Sequence, residues 1–331
     1  MYTKEFLLLD KQVETMQREI TKKRLKQVLF VSCGGSLATI LPGSQLLNQF
    51  SKQVTSSTFN ANEFLAETPL TIDEHTLVIL NSQSGGTEET VLSAEKAKSK
   101  GATVIGFSTN PESRLCKIAD YPIYYYDNPQ NPYPLGLSIF PIVYRTMFGL
   151  IDALENTTYS TDVISALATL ETTVHLAYQP LKSSAKKFAQ IMKDETMIYT
   201  LGAGIDSAIA YIISNCLIME SLWVNSSCLS AGEFFHGAVE AFDEHSAVFA
   251  LLGLQTTRAI EERAIKFLQR KTTKLVVLDA KAFELNDIAP WLQPYYAPLI
   301  LNFIAAKYCD ELSFLKGHPI SSRRYMGIEK Y

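Results

Sequence analysis

The segment at residues 80–90 reads Leu-Asn-Ser-Gln-Ser-Gly-Gly-Thr-Glu-Glu-Thr and directly follows the apolar run at residues 76–79. This order predicts a short buried strand that ends in a loop of hydroxyls and glycines, after which a helix begins. The first N–H groups of a helix have no partner inside the helix, and the helix dipole adds positive charge there. The segment therefore predicts a binding site that suits a phosphate.

A second junction of this kind, Ser-Cys-Gly-Gly-Ser, lies at residues 32–36. Strands are predicted at residues 27–32, 76–80, 103–107 and 121–126. Helices are predicted at residues 3–24, 36–50, 87–100 and 137–154, and the proline-rich segment at residues 128–134 predicts a loop. Helices that alternate with strands in this way indicate an α/β fold with a parallel sheet and helices on both faces.

The second half of the chain repeats the first at an offset of about 170 residues. Gly202 corresponds to Gly34, and predicted strands at residues 247–252 and 274–278 correspond to two strands of the first half. We therefore predict two duplicated doubly wound domains, residues 1–158 with an N-terminal helix and residues 159–331 with an extended C-terminal tail. The second copy lacks the serines of the first, so one phosphate site per pair is expected.

Composition and charge exclude several classes of function. The net charge of -4 and the pI near 5.8 leave no basic patch for nucleic acid. The longest apolar runs are of strand length, far short of the ~20 residues of a membrane helix. The first residues show no charged segment followed by an apolar one, so no secretory signal is expected and the cytoplasm is the predicted location.

Metal and disulfide chemistry are not predicted either. The five cysteines are scattered without a CxxC pair, which is typical of reduced thiols in the cytosol. The five histidines are equally isolated, and no His–Cys cluster has the spacing of metal ligands.

The element Ser-Gln-Ser-Gly-x-Thr at residues 82–87, with Cys-Gly-Gly-Ser at residues 33–36 and a degenerate repeat, resembles the double sugar-isomerase (SIS) arrangement. That arrangement is known from the isomerase half of glucosamine-6-phosphate synthase, and the resemblance covers nearly the whole chain. It implies a sugar-phosphate substrate. The residues it assigns to the phosphate are Ser36, Ser82, Gln83, Ser84 and Thr87, with Gly35 as a further substrate contact.

Two departures separate this chain from the synthase. The synthase carries an N-terminal glutaminase domain with a cysteine nucleophile, whereas Met1-Tyr2 here begins an amphipathic helix, so this chain shows no source of ammonia. The synthase also ends in a lysine-bearing segment, whereas this tail contains His-Pro and Arg-Arg-Tyr-Met. In both respects the chain is more similar to the fructosamine 6-phosphate deglycases, typified by fructoselysine 6-phosphate deglycase.

Glu220 is the only acid after Asp206 in a long apolar helix. Such a carboxylate either lies on the solvent-exposed face of the helix or sits in a partly desolvated site and acts as a base. The resemblance implies the second reading, because the family's proton-transferring glutamate precedes the histidine of a Gly-Glu-x-x-His motif by the same separation as Glu220 precedes His236.

His236 alone reads as a partly buried histidine beside two phenylalanines. The resemblance implies that it assists opening of the sugar ring. Glu233 follows Ser230 at the spacing of a capping box, so we interpret Glu233 as structural and expect His236 near a helix N-terminus.

The C-terminal tail carries His318, Arg323, Arg324 and Tyr325. One interpretation is a disordered terminus. The other is a tail that folds over a site of its own chain or of a partner chain, with an arginine that binds a carboxylate or phosphate. Under the second interpretation His318, Arg323 and Tyr325 are candidate substrate contacts.

The resemblance implies a deglycase that needs no metal or organic cofactor and that forms at least a homodimer. Its substrate is a ketosamine 6-phosphate, which it converts with water to glucose 6-phosphate and an amine. Two alternatives remain: an aldose–ketose isomerase that uses the same base, and a non-catalytic sugar-phosphate sensor. Such sensors usually carry a helix-turn-helix domain, for which the roughly 25 residues before the first strand are too few. The sequence does not identify the amine.

Overall fold

The structure is a computed structural model that describes residues 3–127 and 133–329. The chain forms two compact units, Met1–Glu171 and Thr172–Tyr331. The division follows residue 171, whereas the predicted boundary follows residue 158, because the helix at Tyr159–Ala168 packs against the helix at Ile139–Glu155 of the first unit. Most of the loop predicted at residues 128–134 lies outside the described residues.

The first unit is built on a five-stranded parallel sheet with the strand order β2-β1-β3-β4-β5. The strands are β1 Gln27–Ser32, β2 Thr55–Asn60, β3 Thr76–Asn81, β4 Thr103–Ser108 and β5 Tyr121–Tyr124. Every residue of β3 and β4 is buried, as expected of central strands that are covered on both faces. The predicted α/β class with a parallel sheet is confirmed, although β5 ends two residues before its predicted end.

Helices accompany this sheet. They are α1 Thr3–Ile20, α2 Gly34–Phe50, α3 Ala61–Ala66, α4 Glu88–Ser99, α5 Arg114–Ile118, α6 Ile139–Glu155 and α7 Tyr159–Ala168, with a 3₁₀ turn at Leu135–Leu137. In α1 the buried residues Leu9, Val13, Met16 and Ile20 recur every three or four positions, which confirms the predicted apolar stripe.

The second unit contains a four-stranded parallel sheet with the order β7-β6-β8-β9. Its strands are β6 Met197–Gly202, β7 Asn225–Ser230, β8 Ala247–Leu252 and β9 Leu275–Asp279. Helix α8 Leu170–Tyr178 spans the division, and the helices after it are α9 Lys182–Met192, α10 Ile205–Tyr211, α11 Arg258–Leu268 and α12 Gln293–Lys316. A π-helical segment, Ile212–Ser221, continues α10, and short 3₁₀ helices lie at Gln179–Leu181, Ala238–Ala241 and Ala280–Ala282.

The two sheets share one topology. Strands β6 and β8 are neighbours as β1 and β3 are, and β7 lies beside β6 as β2 lies beside β1. The predicted duplication is therefore confirmed at the level of strand order. In each sheet the chain moves first to one side and then to the other, which makes the gap between β1 and β3, and that between β6 and β8, a topological switch point. Ligands of open α/β sheets bind at the carboxyl ends of the strands at such a point.

One strand in each unit, β2 and β7, was not predicted from the sequence. They read Thr-Ser-Ser-Thr-Phe-Asn and Asn-Ser-Ser-Cys-Leu-Ser, and both are edge strands at equivalent positions. Neither strand has a buried residue, so neither needs a continuous apolar run. Without such a run or a clear alternation, neither segment carries the pattern that predicts a strand.

No helix among residues 3–127 and 133–329 combines the length and hydropathy that would let it cross a membrane. All five cysteines are free thiols. Burial raises the pKa of Cys309 and that of Cys116, so these two thiols are protonated at neutral pH.

Candidate active site

The predicted phosphate loop lies at the switch point of the first sheet. Strands β1 and β3 pair in parallel with Val31 opposite Leu80, so their carboxyl ends are adjacent. Helix α2 begins at Gly34 directly after β1, and helix α4 begins at Glu88 after the loop that follows β3. Two helix N-termini thus start from neighbouring strand ends, an arrangement that suits an anionic ligand.

Hydrogen bonds fix the shape of this loop. The hydroxyls of Ser82 and Thr87 share a hydrogen bond of 2.9 Å, and the Gly86 N–H donates to Ser84 Oγ at 3.2 Å. The carbonyl oxygen of Gln83 accepts hydrogen bonds from the end of β4 and the residue after it. Because Ser82 is buried while the side chains of Gln83 and Ser84 are exposed, the loop presents polar groups to solvent from a fixed backbone.

Ser36 lies in the first turn of α2. Its carbonyl oxygen accepts hydrogen bonds from the Thr39 hydroxyl at 2.8 Å and from the Asn81 side-chain amide at 3.4 Å. Since Asn81 is the last residue of β3, this second bond ties the start of α2 to the phosphate loop. Within the described residues the Ser36 hydroxyl makes no hydrogen bond, and Gly35 beside it is half-buried. The predicted phosphate ligands thus share one edge of the sheet, and their role stays a prediction.

The equivalent edge of the second sheet is occupied by a carboxylate of the protein itself. Glu261 of α11 is buried and accepts hydrogen bonds from the backbone N–H groups of Ala203 and Gly253, both at 2.9 Å. Ala203 directly follows β6, and Gly253 directly follows β8. In the second unit a glutamate therefore occupies the edge that is equivalent to the predicted phosphate site of the first unit, which gives a physical reason to expect a single phosphate site.

Strands β1 and β6 begin and end 170 residues apart, so Gly204, with φ +56°, corresponds to Gly34, with φ +52°, and the predicted match of Gly202 to Gly34 is wrong. Asp206 therefore takes the position of Ser36 and stands beside Glu261. It is completely buried, and an added Cβ at Gly253 would lie 2.0 Å from Asp206 Oδ2, so only glycine permits this close approach. Burial and the neighbouring Glu261 raise the pKa of Asp206 well above its ordinary range. Burial also raises the pKa of Glu261, although two N–H groups donate to it. Asp206 is therefore the protonated member of the pair.

Glu220 lies near the end of the π-helical segment. One of its carboxylate oxygens is 2.7 Å from Nη2 of Arg323 in the C-terminal tail, and the two side chains are 24% and 33% exposed. Nη1 of Arg323 also donates to the Ser221 hydroxyl at 3.3 Å. Glu220 is thus neither freely solvated nor sealed in the core, and π-helical segments are frequent at functional sites.

Glu220 and Arg323 line a cavity of about 300 Å³ in the second unit. The other lining residues come from the end of the π-helix, the start of β7 and the tail: Met219, Trp223, Val224, Asn225, Arg324, Tyr325 and Met326. The guanidinium of Arg324 lies 4.2 Å over the Trp223 ring, and the His318 ring meets the same indole edge-to-face at 4.5 Å. The tail is therefore folded onto the unit that carries Glu220.

The structure does not bring His236 to this cavity. Strand β7 begins at Asn225, which lines the cavity, and ends at Ser230, after which His236 lies exposed in a turn. Six extended residues span roughly 17 Å. Glu220 and His236 of one chain are thus placed at opposite ends of β7.

Three expectations about this turn are wrong. Ser230 ends a strand and does not cap a helix: the Glu233 N–H donates to the Ser230 carbonyl at 3.1 Å within a turn. The next element is only the 3₁₀ helix Ala238–Ala241, so no α-helix N-terminus lies at His236. His236 is also exposed and not partly buried, although Phe234 lies in the core and Phe235 packs against it. The missed strand β7 caused these errors.

Sequence reasoning also missed three residues. Trp223 has φ +57°, a left-handed conformation that is uncommon for residues other than glycine, and the sequence carries no signal for it. Asp206 and Glu261 could have been noticed in the sequence. At the corresponding positions, 170 residues earlier, the first half has Ser36 and Val91, which are not acids.

Comparison with known proteins identifies the family. A model of the SIS domain matches residues 19–148. The chain is 36% identical to the fructosamine deglycase FrlB of Bacillus subtilis strain 168 over 323 residues. The aligned residues are 98% of each chain. The chain belongs to the SIS-domain family.

Two further relatives agree with this SIS assignment. The fructoselysine 6-phosphate deglycase of Escherichia coli O157:H7 is 26% identical over 316 residues, which are 95% of this chain and 89% of that protein. The crystal structure of a Bacillus subtilis protein described as a phosphosugar isomerase matches with a TM-score of 0.93 at 36% identity over 97% of both chains. The predicted SIS resemblance is confirmed over nearly the whole chain.

We expect Gly85→Ala to distort the phosphate loop of this SIS protein. Gly85 has φ +67°, and an added Cβ would lie 2.1 Å from Ser113 Oγ. The variant should lose about 2 kcal/mol or more of unfolding free energy in denaturant titrations. Gly86→Ala is the matched control, since its Cβ would meet nothing closer than Ser84 Oγ at 3.7 Å. Equal losses in the two variants would contradict this account.

We expect Asp206→Asn to alter the dependence of stability on pH. Folded Asp206 retains a proton that the unfolded chain releases above about pH 4, so its contribution to the unfolding free energy falls as pH rises toward the raised folded pKa. Asparagine does not titrate. The thermal midpoint of the variant, relative to wild type, should therefore rise between about pH 5 and about pH 8.

Asp243→Asn serves as the control for that measurement. Asp243 is exposed, and hydrogen bonds from Ser246 and His245 lower its pKa. Asp243 is therefore ionised in both the folded and the unfolded chain across this pH range. The difference in thermal midpoint between Asp243→Asn and wild type should stay constant over the same range. If the difference in thermal midpoint between Asp206→Asn and wild type were also independent of pH, Asp206 would hold no extra proton in the folded protein.

Proposed function

We propose that the protein is a fructosamine 6-phosphate deglycase, which converts a ketosamine 6-phosphate and water to glucose 6-phosphate and a free amine. The observation that carries the proposal is the Glu220 carboxylate, held at 2.7 Å by Arg323 and facing a cavity of about 300 Å³. The identity of 36% to a fructosamine deglycase over 98% of the chain supports the same reaction.

The substrate phosphate binds at the loop of the first unit. Hydroxyls of Ser36, Ser82, Ser84 and Thr87, the amide of Gln83 and the N–H groups at the start of α2 and α4 supply the donors. Binding energy from this non-reacting end of the substrate orients the sugar for proton transfer.

Glu220 moves the protons. It takes a proton from C1 of the open-chain ketosamine, whose electrons form the enaminol, and returns a proton to C2. The product is an imine at C1, to which water adds before the C1–N bond breaks and the amine leaves. A positioned carboxylate of this kind contributes about 10²–10⁴ to the rate.

His236 assists opening of the sugar ring, and it does so in a homodimer. Because His236 lies at the opposite end of β7 from the cavity of its own chain, we place it at the active site of the other chain.

The five free thiols are in keeping with a cytoplasmic location.

We expect Glu220→Gln to abolish turnover and to leave sugar-phosphate binding intact. The amide keeps the size of the side chain but cannot accept the C1 proton, so kcat should fall about 10²–10⁴-fold. Fructoselysine 6-phosphate is the substrate to use, with glucose 6-phosphate and lysine release as the readouts. Calorimetric titration with glucose 6-phosphate should give an affinity close to that of wild type.

Glu233→Gln is the matched control, because Glu233 is an exposed acid outside the cavity, and its kcat should stay within about twofold of wild type. Retained turnover in Glu220→Gln would remove Glu220 from the mechanism. Interconversion of glucose 6-phosphate and fructose 6-phosphate by the wild-type protein, without amine release from fructoselysine 6-phosphate, would replace the deglycase with an isomerase.

A mixture of two inactive variants tests the proposed dimer. Glu220→Gln and His236→Asn should each lack activity, but in a mixed dimer one site receives both native groups. After the two proteins are unfolded together and refolded, we expect about a quarter of wild-type activity, since half of the dimers are mixed and one of their two sites is intact. An inactive mixture that contains dimers by light scattering would place both groups in one chain's site.

A further inference from the structure

Helix α6 carries a single charge in its buried part. Every residue from Ile139 to Ile151 is buried, and Arg145 is the only charged residue of that stretch. Burial takes a guanidinium out of water, which costs free energy unless its N–H groups find other acceptors. The partners of Arg145 therefore show what this part of the first unit requires.

Arg145 has few acceptors in the protein. Its side chain is 8% exposed, and among the described residues only Nη2 donates a hydrogen bond, to Oδ1 of Asp10 in α1 at 3.1 Å. Nε is buried and has no partner in the same part of the chain. Since a guanidinium has five N–H groups, most of its capacity is not used by these residues. Asp10 is itself 42% exposed, so water weakens this ion pair.

The ion pair of Arg145 and Asp10 lies in the wall of a cavity of about 360 Å³. The cavity belongs to the first unit, since its lining residues lie between residues 6 and 171. Most of its wall is apolar, from α1 and α7 above all: Phe6, Leu9, Ile164 and Leu167. A cavity of about 150 Å³ with apolar walls holds benzene. This cavity therefore has room for an apolar ring or chain that also carries a polar group.

We infer that this cavity binds a small monocarboxylate, whose apolar ring or chain lies between α1 and α7 and whose carboxylate is bound by Arg145. The two oxygens of a carboxylate accept paired hydrogen bonds from one guanidinium, which Asp10 does not supply here. The ligand thus competes with Asp10 for Arg145. The site shares no residue with the phosphate loop or with the Glu220 cavity, and the inference does not depend on the deglycase function.

The distribution of charge favours an anion over a cation in this cavity. Among the described lining residues the other charged groups are Asp10, which is partly exposed, and Glu171, which is exposed. Water and salt screen exposed charges strongly and a buried guanidinium much less. The positive charge of Arg145 therefore dominates inside the cavity, where it attracts a carboxylate and repels an amine.

The test is calorimetric titration of the full chain with three ligands of similar size, phenylacetate, phenylacetamide and phenethylamine. We expect phenylacetate to bind about 10–100-fold more tightly than the amide, the range of a hydrogen bond to a charged group, and the amine to bind least. The preference for phenylacetate should disappear in Arg145→Gln. Asp10→Asn removes the competing carboxylate and should raise the affinity for phenylacetate about two- to fivefold without changing that for the amide.

Glu14→Gln is the matched control for Asp10→Asn. Glu14 is an exposed acid one turn further along α1 and does not line the cavity, so its loss should leave the affinity for phenylacetate unchanged. An equal rise in the two variants would be a general effect of charge and would overturn the inference. If Arg145→Gln does not fold, Asp10→Asn decides alone, and an affinity for phenylacetate that stays equal or falls overturns the inference.

The remaining outcomes concern the ligand and the place where it binds. Tightest binding by phenethylamine would make the site one for cations, and no binding of phenylacetate up to about 10 mM would show that no such site exists. Each of these results overturns the inference. Loss of phenylacetate binding in Ser84→Ala would place the anion at the phosphate loop and would overturn it as well, whereas unchanged binding in this variant supports it.

Discussion

The backbone N–H groups at the carboxyl ends of the central strands require an acceptor, and the two halves of this duplicated fold meet that requirement differently. In the second unit Glu261, the fourth residue of α11, accepts from Ala203 and Gly253 at 2.9 Å. The fourth residue of α4 in the first unit is Val91, which is buried and apolar. Valine can supply no acceptor, and the Ser82 N–H directly after β3 donates instead to the Phe107 carbonyl at 3.1 Å. The first N–H groups of α2 and α4, which have no acceptor inside their helices, are the donors that suit a bound anion.

The two units therefore differ in whether the protein itself supplies an anion at this edge of the sheet. A unit that carries its own anion satisfies its strand ends without a ligand, whereas a unit without one gains stability when an anion binds to its helix N-termini. In the second unit the position of Ser36 is taken by Asp206, whose proton lets two carboxyl groups share one buried place. The duplicated edge is thereby part of the core, and the proton transfer that we propose for this unit is assigned to the cavity around Glu220 instead.

Most of the first unit could be predicted from sequence because its signals are local. The apolar run before Ser82 and the stripe of α1 are patterns of a few residues with one physical meaning. The polar edge strands β2 and β7 lack such a pattern, and the error at Ser230 followed from the second of them. The contact of Arg323 with Glu220 fits one of the two interpretations of the tail, an arginine on a carboxylate, but the sequence did not identify the partner. The contact joins segments that are distant in sequence and lies beside Trp223, whose left-handed conformation has no sequence signature.

The tail shows how a short terminal segment can place two positive charges with different partners in one cavity. Arg323 and Arg324 are neighbours in sequence, but one faces the Glu220 carboxylate and the other the Trp223 ring. The position of the tail is set where α12 ends, because Gly317 adopts φ +61° and turns the chain away from the helix. A shift of the tail by one residue would leave an arginine at only one of the two positions, because Ser322 or Tyr325 would take the other. The balance of charge around Glu220 therefore depends on the length of the segment between Gly317 and Arg323 as much as on the arginines themselves.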